Sequence, residues 1–200
     1  EDKSPYSSKT LWHPSMDPLL SEYEELWCCC ASWGGGKNNV RRHKRLEENI
    51  RYFLEHTDEK KALIVLGEDI SNTIVDLSIR NRRVKFYGYI MDEEEKKDSW
   101  KIIAGIMKHC KVFLHLAWLD HCPNTAVWAR ALGCKVICSS SGGTREIAGP
   151  DAIVIEEEPW DFKPVDLSKP PKMDFTKIVS NEGYSSELDL RICAKKYINT

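Results

Sequence analysis

Apolar residues in this chain gather in short runs separated by amphipathic stretches. The runs are Leu26-Trp27-Cys28-Cys29-Cys30-Ala31, Lys61-Ala62-Leu63-Ile64-Val65-Leu66-Gly67, Val84 to Gly88, Val112 to Ala117, Lys135 to Cys138 and Ala152 to Ile155. Each has the length of a strand. Most are apolar at consecutive positions, as strands covered on both faces are. Between them the period becomes helical. Leu46, Ile50, Phe53 and Leu54 share one face, with charges opposite. Ile70, Ile74 and Leu77 mark a short helix. Met91 to His109 reads as a long one, with Trp100, Ile103, Ile106, Met107 and Cys110 as its inner stripe. Asp92 to Glu95 load its first turn with the charge that the helix dipole favours. A last short helix is expected over Thr144 to Ala148. This alternation predicts a doubly wound α/β domain, a Rossmann-like parallel sheet with helices on both sides.

The ends of the chain differ from this centre. Residues 1–26 are polar, carry Pro5, Pro14 and Pro18, and read as a hinge-like segment. Within it Lys9 to Pro14 is a candidate short strand. Residues 156–182, with Pro159, Pro164, Pro170 and Pro171, read as extended peptide. Ser185 to Asn199 has Leu188, Ile192 and Tyr197 at helical spacing and is expected to form a closing helix. The division is therefore 1–26, a sheet domain over 27–165, and a tail over 166–200. A chain that begins with Glu is expected to be part of a longer or processed protein.

One stretch stands out. From Ala117 to Cys138 the chain reads as turn, short helix, glycine stop and strand. Pro123 suits a first helical position. The N–H groups of Asn124, Thr125 and Ala126 would then be left for an anion. Gly133 is placed to end the helix in a left-handed conformation.

Ligands of open parallel sheets bind beyond the carboxyl ends of the strands. Four segments should converge there. These are the loop after Ala31, Gly67-Glu68-Asp69, Gly88-Tyr89-Ile90, and the Asp120 turn. The first holds Gly34, Gly35 and Gly36, which allow close backbone approach, and then Lys37, Arg41, Arg42 and Lys44. Such cations suit phosphate, and arginine can grip it bidentately. Neither a dinucleotide fingerprint nor a Walker loop is present, since Gly34-Gly35-Gly36 has the wrong spacing and Lys37 precedes Asn38.

Composition narrows the classes. The net charge is −2 with 30% charged residues, so no global field favours nucleic acid or a membrane surface. The eight cysteines form no paired Cys-x-x-Cys motif and read as small buried hydrophobes in a reducing, cytoplasmic setting. No apolar run approaches the ~18 residues of a membrane span. No His, Asp or Glu group has metal-ligand spacing, so no metal is expected.

Taken together, the chain resembles the C-terminal, donor-binding domain of GT-B glycosyltransferases of family 4, from about Lys9 to Ile155. Leu11-Trp12-His13-Pro14-Ser15-Met16-Asp17 is similar to their interdomain hinge. Cys28 to Phe53 resembles their phosphate-gripping strand, loop and helix, and Val84 to Ile90 the turn that meets the base. The most specific part is Pro123-Asn124, then Ala129, Ala131, Leu132, Gly133, Val136, Ile137 and Ser139, then Gly142-Gly143-Thr144-Arg145-Glu146-Ile147.

The resemblance implies transfer of a sugar from a nucleoside diphosphate donor, UDP-linked by preference, to a glycan hydroxyl, without an obligatory metal or other cofactor. L-rhamnose is one sugar it allows. Donor contacts are implied for Gly35, Gly36, Lys37, Arg41, Arg42, Lys44, Gly88, Tyr89, Ile90, Asp120, Pro123, Asn124, Thr125 and Trp128. The family carries two glutamates where this chain has Asp120 and Trp128. Asp120 keeps a carboxylate for sugar hydroxyls; Trp128 cannot accept from a ribose. Asp120 or His121 would serve as base if the acceptor binds on this domain, although His121 also reads as a surface turn residue. His115 reads as a satisfied core histidine. An N-terminal partner domain is implied, since these enzymes have two domains. Two other readings stay open: a non-catalytic nucleotide-sugar-binding module, and another α/β enzyme acting on a phosphorylated metabolite.

Overall fold

The computed structural model describes residues 13–31, 42–67, 81–87 and 99–184. The expected helix at Ile70 to Leu77, the start of the long helix and the closing helix lie outside the described residues.

The strands are β1 (Glu25–Cys30), β2 (Lys61–Leu66), β3 (Val84–Phe86), β4 (Val112–His115), β5 (Lys135–Ser139), β6 (Ile153–Ile155) and β7 (Ile178–Ser180). The helices are α1 (Leu46–His56), α2 (Ser99–His109), α3 (Asn124–Ala131) and α4 (Thr144–Ile147), with short 3-10 turns at Pro14–Met16 and Arg42–Lys44. One seven-stranded sheet runs β3-β2-β1-β4-β5-β6-β7. All pairings are parallel except the last, β6 with β7. The doubly wound, Rossmann-like sheet expected from the alternation is present.

Period two along the strands divides the core. Trp27 and Cys29 of β1 face the side covered by α1, where Leu46, Ile50 and Phe53 pack on Leu63, Val65 and Leu114. Leu26 and Cys28 face the other side, against Ile102, Ile106 and Met107 of α2 and Ala126 and Ala129 of α3. The buried thiols behave as hydrophobes. Burial pushes Cys30 up to about 11 and Cys138 up to about 12.

Strand β7 is a correction to the sequence reading, which has residues 156–182 as extended peptide. Ile178–Ser180 pairs antiparallel with β6 and closes the sheet edge. Just before it the chain crosses the α1 face. Met173 and Phe175 are buried there, and Phe175 lies 5.1 Å from the Tyr52 ring and beneath the Arg51 guanidinium at 4.5 Å. Beyond the expected boundary at 165, the tail thus contributes both a strand and core side chains. At the other end, His13 caps a 3-10 turn where a short strand is expected to finish.

Among the described residues no helix is long and apolar enough to cross a membrane. Nor do these residues gather three or more His, Cys, Asp or Glu side chains as a metal site would.

Candidate functional site

The strand order reverses between β1 and β4, whose parallel neighbours run outward in opposite directions. The region beyond the carboxyl ends of these two strands is the usual ligand position in this architecture. Here the basic turn Arg42–Lys44 meets the turn that follows β4. The backbone N–H of Trp118 donates to the His43 carbonyl at 2.7 Å. Lys44 Nζ lies 2.5 Å from Asp120 Oδ2, and His115 Nε2 lies 2.8 Å from the same oxygen.

The ionisation of this group follows from its surroundings. Burial alone would push the Asp120 carboxyl up, but hydrogen bonds from His115 and Lys44 outweigh it. They hold Asp120 well below the usual carboxylate range. Burial dominates at His115 and pulls its imidazole below the ordinary 6.5, against the opposing effect of Asp120. His115 is thus neutral at physiological pH and donates Nε2–H, which makes the contact a hydrogen bond rather than an ion pair. A carboxylate stabilised in this way is a weak base and a strong hydrogen-bond acceptor. His115 is indeed buried, as a core histidine would be, yet its ring nitrogen serves the site.

Each partner of the Lys44–Asp120 contact has a strained neighbour. Arg45, next to Lys44, has φ 49, and Leu119, next to Asp120, has φ 54. Left-handed backbone costs a side-chain-bearing residue roughly 1–2 kcal/mol, so each conformation must be over-determined by its surroundings. At Arg45 the fixing is a bidentate pair with Glu157, at 2.8 and 2.6 Å, plus a bond to the Pro171 carbonyl at 2.8 Å. Glu157 also accepts from Ser139 and Ser141. Asn49 adds a second tie: its amide donates to the carbonyls of Lys44 and Arg45, and its oxygen accepts from the Leu116 N–H at 3.2 Å. At Leu119 the N–H donates to Ser141 Oγ at 3.2 Å, and the next residue, Asp120, bridges to Gly142.

The glycines of Gly142-Gly143 are required by this close approach. A Cβ on Gly142 would lie 2.5 Å from the Asp120 carbonyl oxygen, and one on Gly143 would lie 2.2 Å from that of His121.

Helix α3 starts one residue later than expected. Pro123 is its N-cap, with φ −77 and ψ 99, and Asn124 is the first helical residue. The Ala126 N–H is donated to the Pro123 carbonyl at 2.9 Å, so the expected anion-facing set shrinks to Asn124 and Thr125. The far end matches expectation. Gly133 has φ 96, with its N–H on the Arg130 carbonyl and the Cys134 N–H on that of Ala129, which is a Schellman motif.

Of the other expected site residues, Arg42, His121 and Asn124 are exposed and Trp128 is 42% exposed on α3. Gly35, Gly36, Lys37, Arg41, Gly88, Tyr89 and Ile90 lie outside the described residues. The sequence reading missed Asn49, Arg45 and Glu157 as organisers of the site. A polar Asn on the apolar face of α1 was the one available local signal.

The fold has solved counterparts. Sucrose-phosphate synthase from Thermosynechococcus elongatus superposes with a TM-score of 0.51 at 18% identity, over 66% of this chain and 33% of that one. Anabaena HepE in complex with UDP-glucose gives 0.47 at 14%, over 66% and 34%. A UDP-forming α,α-trehalose-phosphate synthase from Burkholderia xenovorans gives 0.46 at 11%, over 77% and 36%. The chain spans about a third of the length of these structures. At such identities the likeness is one of fold, a Rossmann-like domain of the GT-B kind. No protein family model matches the chain, and no curated protein does.

Proposed function

We propose that this chain is the donor-binding domain of a glycosyltransferase of the GT-B kind, of the family 4 type. It would take a nucleoside diphosphate sugar, UDP-linked, in the crevice between β1 and β4. The observation that carries the reading is the Lys44–Asp120–His115 group at the point where the strand order reverses, held between two strained residues. The GT-B kind of fold is in keeping with it.

In this reading the diphosphate draws Lys44 away from Asp120, with Arg42 and the start of α3 as further donors. Asp120 then accepts hydrogen bonds from sugar hydroxyls while His115 holds its orientation. Transfer breaks the bond between the anomeric carbon and the diphosphate oxygen, which keeps the electron pair. Preplaced cationic donors stabilise the charge that grows there. The acceptor oxygen forms the new bond and releases its proton. The depressed Asp120 argues against that carboxylate as the proton's destination and leaves His121 as the candidate base. The sugar, L-rhamnose among the possibilities, and the glycan acceptor follow from family resemblance alone. So does the N-terminal partner domain, whereas the absence of a metal requirement also rests on the lack of metal-ligand spacing and the cytoplasmic setting rests on the cysteine usage.

Trp128 favours a second reading, a nucleotide-sugar-binding module without turnover, because an indole stands where the resembled family places a carboxylate. Transfer or donor-hydrolysis assays on wild type and Asp120→Asn separate the two. The enzyme reading expects wild-type turnover and a loss of at least about tenfold in the variant. Equal turnover in both would remove the role given to Asp120, and donor binding without turnover would favour the module.

A further inference from the structure

Helix α3 carries one large exposed ring. Trp128 is 42% exposed, whereas Ala126 and Ala129 of the same helix are fully buried against α2 and β1. The indole follows Asn124 by four residues, so the two share a helix face. Helical Cα–Cβ bonds tilt toward the N-terminus. That tilt leans position 128 toward the start of α3, where the N–H groups of Asn124 and Thr125 are left for an anion.

We propose that Trp128 is the wall on which the donor's nucleoside lies, and that the site therefore takes 2′-deoxynucleoside diphosphate sugars as readily as their ribonucleoside counterparts. The inference rests on the donor reading of the crevice. It concerns binding, and it holds whether or not transfer follows.

Three observations carry it. The first is position. One helical turn advances about 5.4 Å, so a diphosphate held at the start of α3 leaves its nucleoside within reach of Trp128. The second is the chemistry of the ring. An indole offers an apolar face for stacking, and its single polar group, Nε1–H, is a donor. It accepts nothing from a ribose hydroxyl. The third is what the helix lacks. Asn124-Thr125-Ala126-Val127-Trp128-Ala129-Arg130-Ala131 contains no carboxylate. Asp120, the carboxylate that precedes it, already accepts from Lys44 and His115 and is assigned to the transferred sugar.

The consequence follows from how a hydroxyl is selected. A site rejects a ligand that lacks a hydroxyl when a buried protein group is left unpaired by the loss. Against an apolar wall the loss strands nothing, and discrimination is weak. Stacking uses the face of a ring and is indifferent to the 2′ position.

The test is calorimetric titration of UDP, dUDP and dTDP into wild type, Trp128→Phe, Trp128→Ala and Trp128→Glu. Melting curves check that each variant is folded, and Trp128→Phe keeps a ring should Trp128→Ala fail to fold. Wild type should bind UDP and dUDP with affinities within about threefold of each other, and should bind dTDP as well. Trp128→Ala should weaken UDP and dUDP alike by about tenfold, and Trp128→Phe by less. Trp128→Glu should create a preference for UDP over dUDP of about tenfold, because a carboxylate accepts from the ribose hydroxyls. Wild type that binds UDP but rejects dUDP by more than about tenfold overturns this inference and leaves the donor reading standing. Unchanged affinities in both Trp128→Ala and Trp128→Phe overturn it too. Wild type that binds none of the three nucleotides removes the donor reading, and this inference with it.

Discussion

Arg45 and Glu157, 112 residues apart, form a bidentate ion pair in which the arginine side chain is fully buried and the carboxylate is 8% exposed. The pair ties the residue after Lys44 to the segment leaving β6, and so sets where Lys44 can stand. Buried pairs contribute little net stability, but breaking one strands a charge. Glu157→Ala should therefore cost about 3–5 kcal/mol, read as a lowered urea midpoint. The double variant Arg45→Met with Glu157→Met should recover much of that loss. Equal losses in the single and double variants would mean that the pair is not an interacting unit.

The site should also make stability depend on pH. Both shifted groups, His115 and Asp120, have folded values below their unfolded ones. The unfolded chain then binds more protons, so stability rises with pH through each window. The His115 contribution is present above 6.5 and is lost as pH falls from there toward the folded value. The Asp120 contribution is lost only below 3.8, as pH falls toward its own depressed value. Denaturation followed between pH 7.5 and 4.5 should show a falling midpoint, and His115→Asn should flatten that slope. An unchanged slope in the variant would contradict the assignment of a buried neutral imidazole.

Gly143→Ala should damage the site from a distance. Its Cβ would press on the His121 carbonyl and force either the Ser-Ser-Ser-Gly-Gly loop or the Asp120 turn to move. A cost of about 1–3 kcal/mol is expected, with altered NMR shifts at Asp120 and His115. Gly133→Ala is the comparison, because nothing lies within 4 Å there and the left-handed φ is its sole penalty. It should lower stability and leave the Asp120 and His115 shifts in place.

Much of this arrangement was legible in the sequence because local rules decide it. Continuous apolar runs gave β1, β2 and β4, the helical stripe gave α1, and Gly133 marked the end of α3. Strand β7 escaped because it is three residues long, lies at the sheet edge and buries little, so Ile178-Val179-Ser180 carries no period to read. Arg45 escaped for a different reason. It sits in a run of cations that reads as a phosphate-facing cluster, and its true partner is far along the chain. His115 was read by burial, which is right, but burial alone does not reveal what its nitrogen meets. A histidine at a strand end with a carboxylate five residues on was the signal available.

Calorimetric titration of UDP into wild type, Arg42→Ala and Lys44→Ala tests the central claim most directly. Loss of one charge-assisted contact to phosphate is worth about 1.5–3 kcal/mol. Wild type should therefore bind, and Lys44→Ala should bind at least about tenfold more weakly, with Arg42→Ala weakened as well. No binding by wild type, or affinity unchanged in both variants, would contradict a diphosphate site between β1 and β4.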